Sequence, residues 1–143
     1  MNRHCGICSL CCKLPDIKEI GKPAGVWCEH CRPGRGGCAI FSSPERPSIC
    51  HAYECSWRQR PDGVPEEFRP DRVHAIIDGV TDREDALRVL VDPHYPDAWR
   101  SGAFGRYLQS LAGRGIVIGV VRAGKIIATI APRGKPVVAR IKS

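Results

Sequence analysis

Hydrophobic and polar residues follow a regular pattern only in the second half of the chain. Residues 73–77 are mostly apolar and are followed by Asp78. In residues 87–91, apolar side chains occupy alternate positions before Asp92. Runs and alternations of this length, bounded by turn residues, predict two β-strands. A helix that begins at Thr81 is the alternative for the second element.

A helical pattern follows these strands. Five residues recur at a spacing that places them on one helix face: Trp99, Ala103, Tyr107, Leu108 and Leu111. Asp97 is a suitable N-cap and Gly113 a suitable end, so we predict one amphipathic helix between them. Gly102 and Gly105 would each cost about 1 kcal/mol relative to Ala in a helix interior unless close packing requires them.

The chain then offers a β-hairpin. Two β-rich runs, 116–121 and 126–130, flank a short loop in which Gly124 suits the left-handed position of a type I turn with a bulge. Residues 136–141 could add an edge strand. The predicted fold is therefore α+β, a ββα unit followed by a hairpin, with a small antiparallel sheet.

The first part of the chain lacks this periodicity and is rich in Gly and Pro. It holds every cysteine of the protein: Cys5, Cys8, Cys11, Cys12, Cys28, Cys31, Cys38, Cys50 and Cys55. Such a segment buries little apolar surface and needs another source of order. We therefore divide the chain into a cysteine module (residues 1–60), a proline-containing linker (61–72) and a small α+β domain (73–143).

The chemistry of the cysteines depends on the compartment. The longest aliphatic run, Ile116–Val121, is too short to span a bilayer, and no apolar stretch follows the N-terminus, so we expect a soluble, cytoplasmic protein without a signal peptide. Disulfides do not persist in a reducing compartment, and an odd number of cysteines leaves one thiol over. Dense cysteine in that setting indicates bound metal ions.

The spacing of the cysteines supports this interpretation. Cys8 and Cys11 form one Cys-x2-Cys turn, Cys28 and Cys31 form another, and the sixteen residues between them match the spacing of two-knuckle zinc sites. Adjacent Cys11 and Cys12 point apart in an extended backbone, so we expect each to serve a different site. Eight thiolates in two tetrahedral sets would leave one cysteine over, and we expect one or two bound Zn²⁺ ions.

Iron is the alternative metal. The run of Cys5, Cys8 and Cys11 at two-residue intervals also suits three corners of a [4Fe–4S] cluster with a remote fourth ligand. Thiolate ligands alone do not distinguish zinc from iron–sulfur. We favour zinc because the module needs only to be closed.

The order of the cysteines resembles the YkgJ-type cysteine-cluster family, which is described as a zinc- or iron-chelating domain. The resemblance covers residues 5–55, includes Arg46-Pro47 before Cys50, and carries over to Cys5, Cys8, Cys11, Cys12, Cys31, Cys38, Cys50 and Cys55. Cys28 departs from the family pattern. The segment also resembles part of flagellin lysine methylases, which implies enzyme relatives, although the chain has no glycine-rich cofactor loop.

Charge is distributed unevenly along the chain. Residues 1–60 carry nine basic and five acidic side chains, residues 61–97 carry four and ten, and residues 98–143 carry nine and none. The acid-free segment could bind nucleic acid, or it could face the acidic segment and be neutralised by it. We therefore hold three hypotheses: a structural metal-binding module that serves a protein partner, an iron–sulfur or metal-dependent redox or methyl-transfer enzyme, and a nucleic-acid-binding protein.

The remaining candidate residues receive ordinary roles. We expect the histidines beside cysteines to support the ligands or lie at the surface, and those of the second half to be unremarkable; they are His4, His30, His51, His74 and His94. Four acidic residues are expected in a solvated turn: Asp78, Asp82, Glu84 and Asp85. Trp27 and Trp57 are expected to pack the thin core of the cysteine module. No catalytic constellation is recognisable.

Overall fold

The computed structural model describes residues 10–32, 37–38, 44, 55–59, 63–80, 83–100 and 102–132. Its α-helices are α1 (Ser56–Gln59), α2 (Pro70–Val73) and α3 (Gly102–Gly113). Its strands are β1 (Cys31–Arg32), β2 (Gly37–Cys38), β3 (Ala75–Val80), β4 (Arg83–Val91), β5 (Val117–Arg122) and β6 (Lys125–Ile130). Single turns of 3-10 helix occupy Leu10–Cys12, Lys18–Ile20 and Glu66–Phe68.

The second half of the chain forms a four-stranded sheet with the order β3-β4-β5-β6. Strands β3 and β4 are antiparallel, as are β5 and β6, but β4 and β5 run parallel. The α+β class, the two strands, the helix and the hairpin are confirmed. The prediction of an antiparallel sheet was wrong for one pair of strands, because β4 and β5 are parallel. Helix α3 is the reason, because it returns the chain to the end of the sheet at which β4 begins, as a parallel connection requires. We call this sheet together with α3 the body.

The helix begins later than the sequence pattern predicts. Residues 97–100 form a turn in which the Arg100 amide donates to the Asp97 carbonyl at 3.0 Å, and α3 starts at Gly102, whose φ is +69°. A Cβ atom on Gly105 would lie 2.8 Å from the Arg100 carbonyl carbon, so glycine is required where the turn packs on the helix. Ala103, predicted to be on the buried face, is exposed, and Phe104 is buried instead.

The β5–β6 turn also differs in detail. Ala123 and Gly124 both have positive φ, at 49° and 82°, which is the pattern of a two-residue type I′ turn rather than a type I turn with a bulge. The irregularity lies within the strands, between Val120 and Val121. A type I′ turn suits the twist of two tightly connected strands, which explains the choice.

One face of the sheet carries the main core. Apolar residues of the strands and α3 pack there with residues that precede the sheet, among them Trp57, Val64 and Phe68. Trp57 therefore packs the body and not the cysteine module, since its side chain is in this cluster. The predicted linker contributes buried residues, and Pro70 begins α2 at a position where its missing N–H costs nothing.

The opposite face is covered by the first described segment of the chain. Leu10 and Leu14 pack there against Ile76, Leu90 and Val121. The Gly25 backbone comes so close to Pro93 that a Cβ atom would lie 2.9 Å from its ring. The sheet therefore lies between α3 on one side and residues 10–28 on the other.

The predicted acidic turn is not uniform. Asp78 is buried at 5% exposure, and its carboxylate accepts two hydrogen bonds from Arg88, both at 2.8 Å. It is therefore a cross-strand ion-pair partner and not a solvated residue, whereas Glu84 and Asp85 are exposed as expected. Asp82 and the predicted edge strand at 136–141 lie outside the described residues.

Within the described part of the chain, no helix combines the length and the apolar character needed to cross a membrane.

Candidate metal centre

Six of the predicted ligands fall within the described residues: Cys11, Cys12, Cys28, Cys31, Cys38 and Cys55. Cys5, Cys8 and Cys50 lie outside them, as do His4 and His51. Cys12 and Cys28 do not form disulfide bonds.

Cys11 and Cys12 lie in a 3-10 turn and not in extended backbone. The Leu10 carbonyl accepts hydrogen bonds from the amides of Lys13 and Leu14, both at 2.9 Å, which closes the turn. Neighbouring residues of such a helix are about 120° apart around its axis. The two side chains therefore still point in different directions, and Cys11 is exposed while Cys12 is partly buried.

Cys28 and Cys31 form a tight turn. The Cys31 amide donates to the Cys28 carbonyl at 3.0 Å, and the His30 amide donates to the Cys28 sulfur at 3.4 Å. Cys28 itself is buried at 8% exposure. Amide donation to the first sulfur of a Cys-x2-Cys turn stabilises negative charge on that sulfur. His30 thus contributes its backbone here, while its ring lies 3.4 Å from the Glu29 carboxylate.

Backbone contacts connect this turn to two other cysteines. The Cys28 amide donates to the Cys12 carbonyl at 2.8 Å. Cys31 on β1 lies directly opposite Cys38 on β2 in an antiparallel pair. Backbone contacts therefore link the Cys28–Cys31 turn to Cys12 and to Cys38.

Cys55 lies where the cysteine module meets the body. Its carbonyl accepts the Arg58 and Gln59 amides at 3.1 and 3.0 Å, which begins α1. Its partly buried side chain packs against both core clusters, including the one that contains Leu10, the residue before Cys11. The end of the cysteine module thus returns to its described beginning.

The described side chains do not form a closed ligand set. Within the ranges given above, no group of three or more His, Cys, Asp or Glu side chains could hold a metal ion. Three of the nine cysteines lie outside those ranges. What the described residues contribute is a preformed Cys-x2-Cys turn and the backbone contacts that bring other cysteines toward it.

A buried lysine organises the loop between Cys12 and Cys28. The Lys22 ammonium donates to the carbonyls of Lys13, Pro23 and Val26 at 2.8, 2.7 and 2.7 Å. Lys22 also exchanges backbone hydrogen bonds with Ile17 at 2.9 and 3.0 Å. Sequence reasoning missed this residue because a single lysine among Gly and Pro carries no periodic signal.

A second buried lysine joins the module to the body. The Lys13 ammonium lies 2.8 Å from the Asp92 carboxylate, 3.0 Å from His94 Nδ1 and 5.4 Å from the centre of the Trp27 ring. Burial raises the pKa of the Asp92 carboxyl, but hydrogen bonds from Lys13 and from the His94 amide outweigh burial. The pKa is therefore below its ordinary value. Trp27, expected in a thin core, is 37% exposed above this lysine.

His74 and His94 contact aromatic and charged side chains. His74 ends α2 with a left-handed φ of 59°, and its ring stacks on Tyr95 at 3.6 Å. His94 is exposed and faces the Lys13–Asp92 pair. Neither arrangement resembles a metal site.

The acid-free segment exposes several cations. Arg106, Arg114, Arg122 and Lys125 are all exposed, and Arg100 lies 3.5 Å from Asp97. Strand β5 of this segment lies beside β4 of the acidic segment. The Trp99 ring of this segment is covered by Arg100, 4.9 Å from its centre. This contact lies within the chain and is not a specific observation in favour of nucleic acid.

Comparison of the chain with protein-family models, with curated proteins and with solved structures found no match. The likeness to the YkgJ-type family therefore remains a prediction from cysteine spacing.

Proposed function

We propose that the protein binds metal through its N-terminal cysteines, and that Zn²⁺ closes the cysteine module. The observation that carries this proposal is the Cys28–Cys31 turn, with an amide donating to the Cys28 sulfur. Cys12 and Cys38 are held beside the turn by backbone contacts. A Cys-x2-Cys turn with this amide-to-sulfur bond is suited to present two thiolates to one ion.

The energetics of the module support a structural ion. Its described residues bury few apolar side chains, and its loop is held largely by a lysine ammonium and backbone carbonyls. A structural zinc ion contributes on the order of 10 kcal/mol to folding at neutral pH. That contribution would order a Gly- and Pro-rich segment whose own core is small.

The cysteines restrict the expected metal to zinc or iron. Thiolates bind both zinc and iron, and amide donors to sulfur occur in both kinds of site. Zinc is proposed because the role is to close the module, which needs no redox chemistry. Bound iron or a [4Fe–4S] cluster would instead favour the redox or methyl-transfer alternative.

The proposed role is that of an accessory module for a protein partner in the cytoplasm, where thiolates persist. No described group of side chains forms a nucleophile–base pair or another catalytic arrangement, so the proposal involves no reaction. Nucleic-acid binding has no specific observation in its favour and is not proposed.

The test is metal analysis of protein purified with a reductant and without added metal. We expect one or two zinc ions per chain, a colourless protein, and less zinc in Cys28→Ser. Ser110→Ala, which removes one oxygen from the exposed face of α3, should keep the wild-type zinc content. A brown protein with visible absorbance would mean that the bound group is an iron–sulfur cluster and not zinc. A chain without metal whose module is nevertheless folded would contradict the proposal.

A further inference from the structure

The backbone of Lys13 lies between the two cysteine-bearing segments. Its carbonyl accepts the Lys22 ammonium at 2.8 Å and the Gly25 amide at 2.9 Å, and the preceding Cys12 carbonyl accepts the Cys28 amide at 2.8 Å. Any shift of this backbone would therefore move Cys12 relative to Cys28.

The side chain of Lys13 reaches Asp92, which directly follows β4. Its ammonium and the Asp92 carboxylate are 2.8 Å apart, with side-chain exposures of only 5% and 6%. A buried ion pair fixes the relative position of its partners, because separating them leaves an uncompensated charge away from water. The pair spans 79 positions of the chain, so it connects two regions that fold from different segments.

Asp92 is itself rigidly held. Its amide donates to the His74 carbonyl at 2.9 Å, its carbonyl accepts the Tyr95 amide at 2.8 Å, and its carboxylate accepts the His94 amide at 3.0 Å. It directly follows β4, one of the two central strands of the sheet. Asp92 therefore offers Lys13 a fixed anchor.

We infer that Lys13 is a positioning residue for Cys12 and Cys28. Its ammonium, held by Asp92, fixes the Cys12–Cys28 backbone contact against the body. This inference rests on the proposed metal binding and adds a coupling: the affinity for zinc depends on a carboxylate of the body that is remote in sequence from every cysteine. Groups that support a metal site without binding the ion commonly change affinity by about 10- to 100-fold when mutated.

The experiment measures Zn²⁺ affinity of the reduced, full-length chain by competition with a chromophoric chelator. The variants are Lys13→Met, Asp92→Asn and the double variant. Asp92→Asn keeps an oxygen for the His94 amide while removing the charge that faces Lys13. We expect each single variant to bind zinc about 10- to 100-fold more weakly. The double variant should be within about twofold of the weaker single variant, because both remove one interaction.

Leu111→Ala is the control for a loss of stability alone. Leu111 is a buried residue of α3 in the core cluster on the opposite face of the sheet from residues 10–28, so its truncation destabilises the body without touching the Lys13–Asp92 pair. Its zinc affinity should stay within about twofold of wild type. If Leu111→Ala lost as much affinity as Asp92→Asn, Lys13 would have no positioning role.

Lys13→Arg distinguishes the loss of the Lys13 charge from misfolding of the single variants. It keeps a cation for Asp92 and should bind zinc more tightly than Lys13→Met. Three results would each overturn the positioning role. The first is an equal loss of zinc affinity in Lys13→Arg and Lys13→Met, and the second is wild-type affinity in Asp92→Asn. The third is a double variant in which the two single losses of affinity multiply. A wild-type chain that takes up no zinc would instead overturn the proposed function, so the two failures are distinguishable.

Discussion

The body and the cysteine module are stabilised by different interactions. The body buries apolar side chains between its sheet and α3, with Val89, Leu108 and Ile118 at 0% exposure. The described part of the module buries two ammonium groups, those of Lys13 and Lys22, and uses backbone carbonyls and a carboxylate to hold them. Apolar burial stabilises a fold without bound ions, whereas a loop held by polar contacts needs a further source of order.

The largest expected effect separates the two regions directly. Removal of metal by a chelator from reduced protein should cost the module on the order of 10 kcal/mol per ion, because ion binding is coupled to its folding. Amide hydrogen exchange should then rise first in residues 13–28 and only later in β5 and β6. Simultaneous loss of protection in both regions would mean that they form one cooperative unit with no separate module.

Leu108→Ala should destabilise the body and leave the cysteine module unchanged. Leu108 is fully buried in α3, and its truncation should lower the free energy of unfolding of the body by about 2–5 kcal/mol, through lost burial and a cavity. Urea denaturation followed by circular dichroism measures this effect. Zinc content should stay at the wild-type value in the folded protein, and zinc loss at low urea would contradict the separation of the two regions.

The fold of the body could be predicted from sequence to the extent that it depends on local pattern. Alternation through 87–91 and the runs around Gly124 gave the strands because period-2 burial leaves a signal in every residue. The parallel pairing of β4 with β5 left no such signal, since strand direction depends on where α3 returns the chain. The start of α3 was missed because the 97–100 turn packs on Gly105, a contact invisible to helical periodicity.

The candidate site was predictable only through its cysteines. The Cys28-x2-Cys31 spacing predicted a turn, and that turn is present with its amide-to-sulfur contact. Neither Lys13 nor Lys22 was singled out, because long-range ion pairs and lysine–carbonyl contacts carry no spacing rule. The expected solvation of Asp78 failed for the same reason, since its partner Arg88 lies on the next strand.

Lys22→Met tests the polar side of the comparison with a smaller effect. The substitution keeps much of the side-chain volume but leaves three carbonyls without their ammonium donor. Loss of a charged hydrogen-bond donor should cost the module about 1–3 kcal/mol. Exchange in residues 13–28 should rise while the body is unchanged, and Lys18→Met, at an exposed position of the same segment, is the control. Equal exchange in both variants would remove the role given to Lys22.

Asp71→Asn gives the smallest effect and concerns α2, which leads into β3. Hydrogen bonding from Arg69 holds the pKa of the Asp71 carboxyl below its ordinary value, against the opposing effect of burial. A depressed folded-state pKa stabilises the protein above the unfolded-state value, and this contribution is lost as pH falls through the folded-state pKa. The variant should be less stable at pH 7 by about 1 kcal/mol or less, and the difference should shrink below about pH 4. A difference independent of pH in urea denaturation would contradict the ion pair.

Native mass spectrometry of the reduced, full-length chain tests the central claim most directly. Comparison of the folded and denatured masses gives the bound ions per chain. The account predicts a folded species heavier by one or two zinc ions, each displacing thiol protons, and a denatured species at the mass of the bare chain. A folded species with protected module amides at the bare mass, or at a mass reduced by paired disulfides, would contradict it.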